Sequence, residues 1–281
     1  MPNIEGVSET SNKRHRMYPN GTVSEQVVRN IPLTGSALEA SLGNGGRWKP
    51  LTHGHVLDEI ENALTNAGLT FAASNRRFTI AADGQQMFAT IPLDIAIIDA
   101  SAAGRSDSVS LMLGIANSTD KSRALKLGFG SRVLVCSNGA FYAEEVVGRK
   151  HTTNIIEDLP GKIATLISAF EGYVQLQRDF FGRLREIAID LPSVHDFVVE
   201  SAKRGAITKG EILDIVEEFE NPSHAEFSDR NAWSLHNAFT ECSKRIESRN
   251  GNQHAERMVL MTDLFRSRFA ADLASRVALN N

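Results

Sequence analysis

The chain is short of the residues that staple, coat or span. Two cysteines among 281 residues, Cys136 and Cys242, cannot build a disulfide framework, so stability must come from an apolar core, and the length is sufficient to bury one. No apolar run approaches the roughly 20 residues needed to cross a bilayer. The opening Met-Pro-Asn-Ile-Glu shows no basic segment followed by an apolar one, so no secretory signal is expected. These shortages together predict a cytoplasmic protein, in a bacterial or host cell, with no membrane partner. Both thiols are then expected free, and the Asn-x-Thr triplets at Asn20 and Asn117 carry no glycan. Positive charge is also scarce: the net charge of -4 excludes a uniformly basic nucleic-acid coat, though not a local basic patch. Missing too are a Walker loop, a nucleophile elbow, a His-Glu-x-x-His segment and a Cys-x-x-Cys pair, so no cofactor and no metal is expected.

What is present is globular: 42% apolar and 23% charged residues place the chain near the average for packed domains. Residues 1 to 46 are rich in Asn, Gly, Ser and Pro and lack periodicity, which predicts a flexible N-terminal arm. From there Thr52 can cap a helix that sets Val56, Ile60, Ala63 and Leu64 on one face and stops at Gly68. Strands are predicted over 71–81 and 86–98 around the turn pair Asp83-Gly84, over 108–116, and over 132–137 and 140–147 around Asn138-Gly139. Gly128-Phe129-Gly130 reads as a kink leading into the next strand, with amides open to a phosphate.

Beyond Thr153 the pattern is helical. Ile163, Leu166, Phe170, Tyr173, Gln177, Phe180, Leu184, Ile187 and Leu191 recur in steps of three and four, predicting one unbroken helix to Pro192 whose stripe either packs inside the chain or forms an oligomer seam. Ser193-Val-His-Asp196 and Thr208-Lys-Gly-Glu211 resemble capping boxes opening two short helices, and two longer helices follow around Asn250-Gly251-Asn252. The fold class is therefore α+β: an antiparallel β meander with a preceding helix, followed by a long helix and a C-terminal helical bundle. The organisation expected is an arm at 1–46, a sheet region at 47–158 and a helical region at 159–281 packed on the sheet as one unit.

Charge is distributed unevenly along this plan. Residues 121 to 151 carry +4, through Lys121, Arg123, Lys126, Arg132, Arg149 and Lys150 against Glu144 and Glu145, whereas 51 to 120 carry -5 and 193 to 222 carry -4. The acidic 209–220 stretch would be repelled by phosphates, which argues against a helix-turn-helix DNA reader. If the strands pair as predicted, the six basic residues gather at one end of the sheet beside the polar run Asn117-Ser118-Thr119-Asp120, with Phe141 and Tyr142 offering an aromatic platform. A solvated sheet edge guarded by lysine and arginine gives the same pattern. His53-Gly-His55 is a weak metal pair, and Cys136 with His151 is a weak nucleophile and base pair.

Three segments carry a resemblance. Asn117, Ser118, Asp120, Lys121 and Ser122, then Cys136-Ser137-Asn138-Gly139, then Arg149-Lys150-His151-Thr152 resemble the phage/plasmid-like family called domain of unknown function 932. The stretch containing Trp233, Asn237, Thr240 and Glu241 is similar to its C-terminal signature. The resemblance spans about 48 to 270 and implies a mobile-element setting, with no established activity or catalytic residues. An antiparallel meander followed by a long helix also resembles, in topology alone, the core of phage single-strand annealing recombinases.

The leading expectation is thus a non-enzymatic, phage- or plasmid-type protein that binds single-stranded nucleic acid through the six basic residues, as a homo-oligomer, in replication or recombination. One alternative is a protein-interaction or host-defence antagonist module that binds a host or phage protein. The other is an enzyme using Cys136 and His151, joined by Asn117.

Overall fold

The computed structural model describes residues 21–71, 75–101, 104–133, 139–140, 147–152, 154–247 and 251–271. The class is α+β. Seven strands are seen among these residues: β1 (Gly21–Val23), β2 (Arg77–Ala81), β3 (Gln86–Ile98), β4 (Val109–Ser118), β5 (Leu125–Val133), β6 (Gly139–Ala140) and β7 (Val147–Arg149). They form one antiparallel sheet in the order β1-β2-β3-β4-β5, and β6 and β7 pair with successive stretches of the outer edge of β5. Chain order equals spatial order through five strands: from β2 to β5 each connection is short enough to return the chain alongside its predecessor, whereas the one from β1 to β2 carries α1, α2 and α3.

The Asp83-Gly84 hairpin forms, with Ala82, Asp83 and Gly84 all at positive φ between the paired ends Ala81 and Gln86. The strand expected over 71–81 is shorter, starting at Arg77, while Phe71 makes only an isolated bridge to Leu93. In β3 the register with β4 shifts just beyond Pro92, a residue without an amide hydrogen to give to the ladder.

The largest departure in the sheet concerns Gly128-Phe129-Gly130. These residues are the middle of β5, with Gly128 opposite Gly114 and Gly130 opposite Met112, so this is no kink leading into a strand but paired strand itself. Leu125, Leu127 and Phe129 are buried on the helix-covered face, and the glycines between them masked the alternation. Gly139 pairs with Arg132 and Ala140 with Ser131, so Gly139 is a strand residue; residues 134–138 and 141–146 of the hairpin expected around Asn138 lie outside the described residues, Cys136, Ser137, Phe141 and Tyr142 among them.

Nine α-helices are described. Short α1 (Glu25–Arg29) and α2 (Gly35–Glu39) precede α3 (His53–Asn66), and α4 (Ile155–Ser168), α5 (Phe170–Glu186), α6 (Leu191–Lys203), α7 (Glu211–Glu220), α8 (Ala232–Glu247) and α9 (Gly251–Phe269) follow the sheet. Thr52 caps α3 by accepting from the His55 amide at 3.1 Å, and Gly68 beyond its end takes φ +71°. Helices α3, α4 and α5 lie against one face of the sheet, Phe129 meets Tyr173 at 5.8 Å, and α8 and α9 stack on α5. One hydrophobic cluster runs from Val28 through the strands to Ala270.

The long helix expected to reach Pro192 is broken. Its backbone turns at Ala169 (φ -90°, ψ -5°) between α4 and α5, and residues 187–190 are extended. The stripe survives the break: Ile163, Leu166, Tyr173, Gln177, Phe180 and Leu184 are all buried within the chain, so this stripe packs inside. Helix α6 starts earlier than Ser193 suggests, because Asp190 is the cap, accepting from the Ser193 amide at 3.0 Å with Pro192 in the first turn. At α7 Glu211 does reach back, accepting from the Thr208 amide at 2.7 Å.

The N-terminal arm also departs from expectation over residues 21–46, which are folded onto the body. Strand β1 pairs with β2, and Val28 is fully buried. Arg29 reaches Glu25, Asp58 and Glu61, tying α1 to α3. A Cβ on Gly54 would come within 2.8 Å of the Arg29 carbonyl oxygen, so that close approach requires glycine. Residues 1–20 lie outside the described residues.

Candidate nucleic-acid interface

The β4–β5 connection is clamped by the motif residues themselves. Ser118 Oγ accepts from the Arg123 amide at 3.1 Å and donates to the Arg123 carbonyl at 3.0 Å, closing the loop. Within it the Asp120 carboxylate accepts from the Ser122 amide at 3.0 Å and from the Ser122 hydroxyl, and Gln86 donates to it from β3 at 3.1 Å. Burial works against the Asp120 charge, but the bonds from Ser122, Gln86 and Ser118 prevail and hold its carboxyl below the usual range.

Asn117, one residue earlier, is buried and ties three segments together. Its amide nitrogen donates to the Leu51 carbonyl at 3.2 Å and to His53 Nδ1 at 2.9 Å. His53 Nε2 lies 2.8 Å from the Gly84 carbonyl, and since a carbonyl only accepts, the His53 proton sits on Nε2 and Nδ1 is the acceptor. Both ring nitrogens are therefore engaged, so the weak metal pair His53-Gly-His55 gets no free ligand nitrogen from His53. The Leu51 amide donates at 3.4 Å to Nδ1 of His151, itself buried. The strand-like contact of Trp48 with Thr152, and the bond from the Lys49 amide to the His151 carbonyl at 3.1 Å, complete the lacing of 48–53 to 151–152. Burial pushes both imidazoles below their ordinary value, and charge on His53 would push His151 further down.

Over this neutral layer lies a charged rim. Lys121, Arg123, Lys126 and Lys150 are exposed, and register gathers them: Lys126 pairs with Gly148, and Arg149 stands opposite Leu125. Lys121 places its ammonium 4.3 Å from the centre of the Trp48 ring. Arg132 does not join the rim. It lies six residues along β5, about 20 Å away at strand rise. The five other basic residues are thus brought to one sheet end. Trp48, half-buried beside them, is the functional candidate that spacing did not find; an aromatic at the first organised residue, preceded by Arg47 and followed by Lys49, was the available signal.

The C-terminal signature has a different role. Asn231 caps α8, accepting from the Ser234 amide at 2.8 Å, and its own amide holds the Arg185 carbonyl at 3.1 Å. Trp233 donates its indole hydrogen to Asp107 at 3.0 Å; the same fully buried carboxylate takes Arg105 at 3.0 Å and Arg185 at 2.7 Å. Bonds to Asp107 and Asp229 hold the Arg105 guanidinium above its ordinary value, while burial pulls Arg185 down against the attraction of Asp107. His236 stacks on Trp233 with ring centres 5.5 Å apart, and burial pushes its imidazole down to about 3. Asn237 donates to the Trp233 carbonyl and Thr240 to that of Asn237, both inside the helix. Glu241 pairs with Lys244 beside a groove lined by Asp214, Glu217 and Glu218.

Of the residues proposed for catalysis, His151 and Asn117 come together on Leu51, and Cys136 lies outside the described residues. What the geometry defines is an α+β protein with helices on one face of a meander and a basic end to its sheet. Residues 44–265 match the family model described as Domain of unknown function (DUF932), and the chain belongs to that family. No curated protein and no solved structure matches the chain.

Proposed function

We propose that the protein binds single-stranded nucleic acid at the sheet end, as a phage- or plasmid-type factor acting in replication or recombination. The observation that supports this reading is the register of β5 with β7, which sets Lys126 beside Lys150 and the Lys121–Arg123 turn. Cations spaced along a strand end follow a phosphate backbone, and a neighbouring indole gives one base a stacking surface. The cation now over Trp48 is Lys121, so a phosphate that draws Lys121 outward frees the ring face for a base. Self-association remains part of the proposal, without drawing on the buried α5 stripe.

Fluorescence anisotropy with a labelled single-stranded oligonucleotide at low salt tests it. Binding is expected to weaken with rising salt, because each neutralised phosphate releases a counterion, with a log-log slope near 0.7 per contact for single strands. The double variant Lys126→Glu and Lys150→Glu should abolish binding, while Arg132→Glu should leave it nearly intact. Absence of binding at micromolar protein sinks the proposal.

A second reading, a protein-interaction module, has one observation in its favour. Leu213 is 78% exposed on α7 among Asp214, Glu217 and Glu218, an apolar side chain on an acidic face that a basic protein surface would cover. Capture of a partner that is lost in Glu217→Lys with Glu218→Lys, and indifferent to the rim, would move the assignment there.

A further inference from the structure

The buried layer beneath the rim does more than hold the loops. His53 Nδ1 faces the Asn117 amide hydrogen and His151 Nδ1 faces the Leu51 amide hydrogen. Each imidazole therefore acts as an acceptor at a position where it is nearly closed off from water. A second proton on either ring sets donor against donor and leaves a charge in the protein interior. Asn117 Oδ1 and His151 Nε2 are buried with no hydrogen-bond partner among the described residues, so even the neutral cluster leaves one acceptor and one donor unmet. The segments it joins are the ones that present Trp48, Lys121, Arg123 and Lys150.

We propose that His53, Asn117 and His151 form a proton-sensitive latch that closes Trp48 and the β4–β5 loop onto the sheet end when both imidazoles are neutral and releases them on acidification. The charges around the pair come from several elements. Asp120 in the β4–β5 loop favours a proton on His53. Lys49 and Lys150 flank the pair along the chain, Lys121 sits over Trp48, and α4, packed on α3 and β7, carries Glu157 and Asp158 in its first turn. Burial outweighs Asp120, so His53 and His151 both titrate below their ordinary value when the latch is closed. The open form, titrating near about 6.5, takes up protons first. The closed state is thus fully favoured above about 6.5 and is lost as pH falls through the closed-state values.

The test needs no nucleic acid, so it stands or falls apart from the binding proposal. Of the two tryptophans, Trp233 is fully buried, and acrylamide quenching reads Trp48. Between about pH 7.5 and about pH 5 the quenching constant should rise about two-fold while far-ultraviolet dichroism is retained. The rise should vanish in His53→Gln with His151→Asn, which keeps one bond to Gly84 and one to Leu51 without a titratable ring. Should that variant fail to fold, Asn117→Asp decides: a carboxylate beside His53 Nδ1 accommodates the proton and should suppress opening. An unchanged quenching constant in the native chain overturns the latch, and so does a rise that persists in every variant that folds.

Discussion

Among the described residues, two of the buried polar networks are built on opposite principles. At the sheet end the participants are neutral: two imidazoles and an amide joined through backbone atoms of Leu51 and Gly84. At the helix–sheet interface they are charged: Asp107 between Arg105 and Arg185, roofed by Trp233 with Arg185 5.0 Å from its ring centre. A neutral network loses little when one bond goes but is exposed to protons. An ion cluster is indifferent to pH near neutrality, yet breaking it leaves an uncompensated charge in the core. Accordingly the neutral network lies beneath the part of the molecule proposed to meet a ligand, and the charged one joins α5 and α8 to the loop before β4.

The sharpest way to break the comparison is Asp107→Asn. It keeps the shape but removes the carboxylate charge that pairs directly with both arginines, and one amide hydrogen must face guanidinium donors. A loss of about 3–5 kcal/mol is expected in urea unfolding, without change in its pH dependence near neutrality. A loss under about 1 kcal/mol would show that Arg105 and Arg185 find their charge elsewhere, with Asp229 the available carboxylate for Arg105.

This contrast was unevenly legible in the sequence. Local chemistry was readable: the Thr52 cap, the Asp83-Gly84 hairpin and the meander all follow from two or three neighbouring residues. The break at Ala169 was hidden because the three-and-four spacing continues through it, and one residue of altered backbone leaves no mark on a hydrophobic pattern. Asp190-Leu-Pro192 did announce the start of α6, but the stripe running to Leu191 argued the other way. Asp107 was illegible for another reason. A lone aspartate in a polar loop looks solvated until residues 78 and 126 positions away, Arg185 and Trp233, arrive beside it. At the site, the cluster of basic residues was visible and its membership was not, because placing Arg132 needed the true extent of β5. The three motif residues Asn117, Ser118 and Asp120 turned out to position the loop by hydrogen bonding to backbone and side chain.

Asn117→Ala probes the neutral network at intermediate cost. It strips the donor from His53 Nδ1 and from the Leu51 carbonyl at once, leaving two buried acceptors unmet, for a loss of about 1–3 kcal/mol. Unlike the Asp107 variant, this one should also alter pH dependence, since His53 is no longer held as an acceptor and its protonation costs less. Chemical unfolding at about pH 7.5 and about pH 5.5 checks this: the gap between the two stabilities should narrow relative to the native chain. A gap that stays the same would show that the His53 ring is kept neutral by burial alone.

The smallest effect on stability is expected where the effect on function is expected to be largest. Lys126 and Lys150 are exposed, and neither enters the hydrogen bonds that lace 48–53 to 151–152. Reversing both charges should change unfolding free energy by less than about 0.5 kcal/mol, because an exposed cation gives up little when water replaces whatever it faced. Oligonucleotide affinity, by contrast, depends on the summed potential of the rim and should collapse in the same protein. That dissociation is what separates a charged surface from the neutral layer holding it. If the reversal instead lowers the urea midpoint as far as Asn117→Ala does, the rim is part of the scaffold, and the solvated, lysine-guarded sheet edge becomes the better account of these residues.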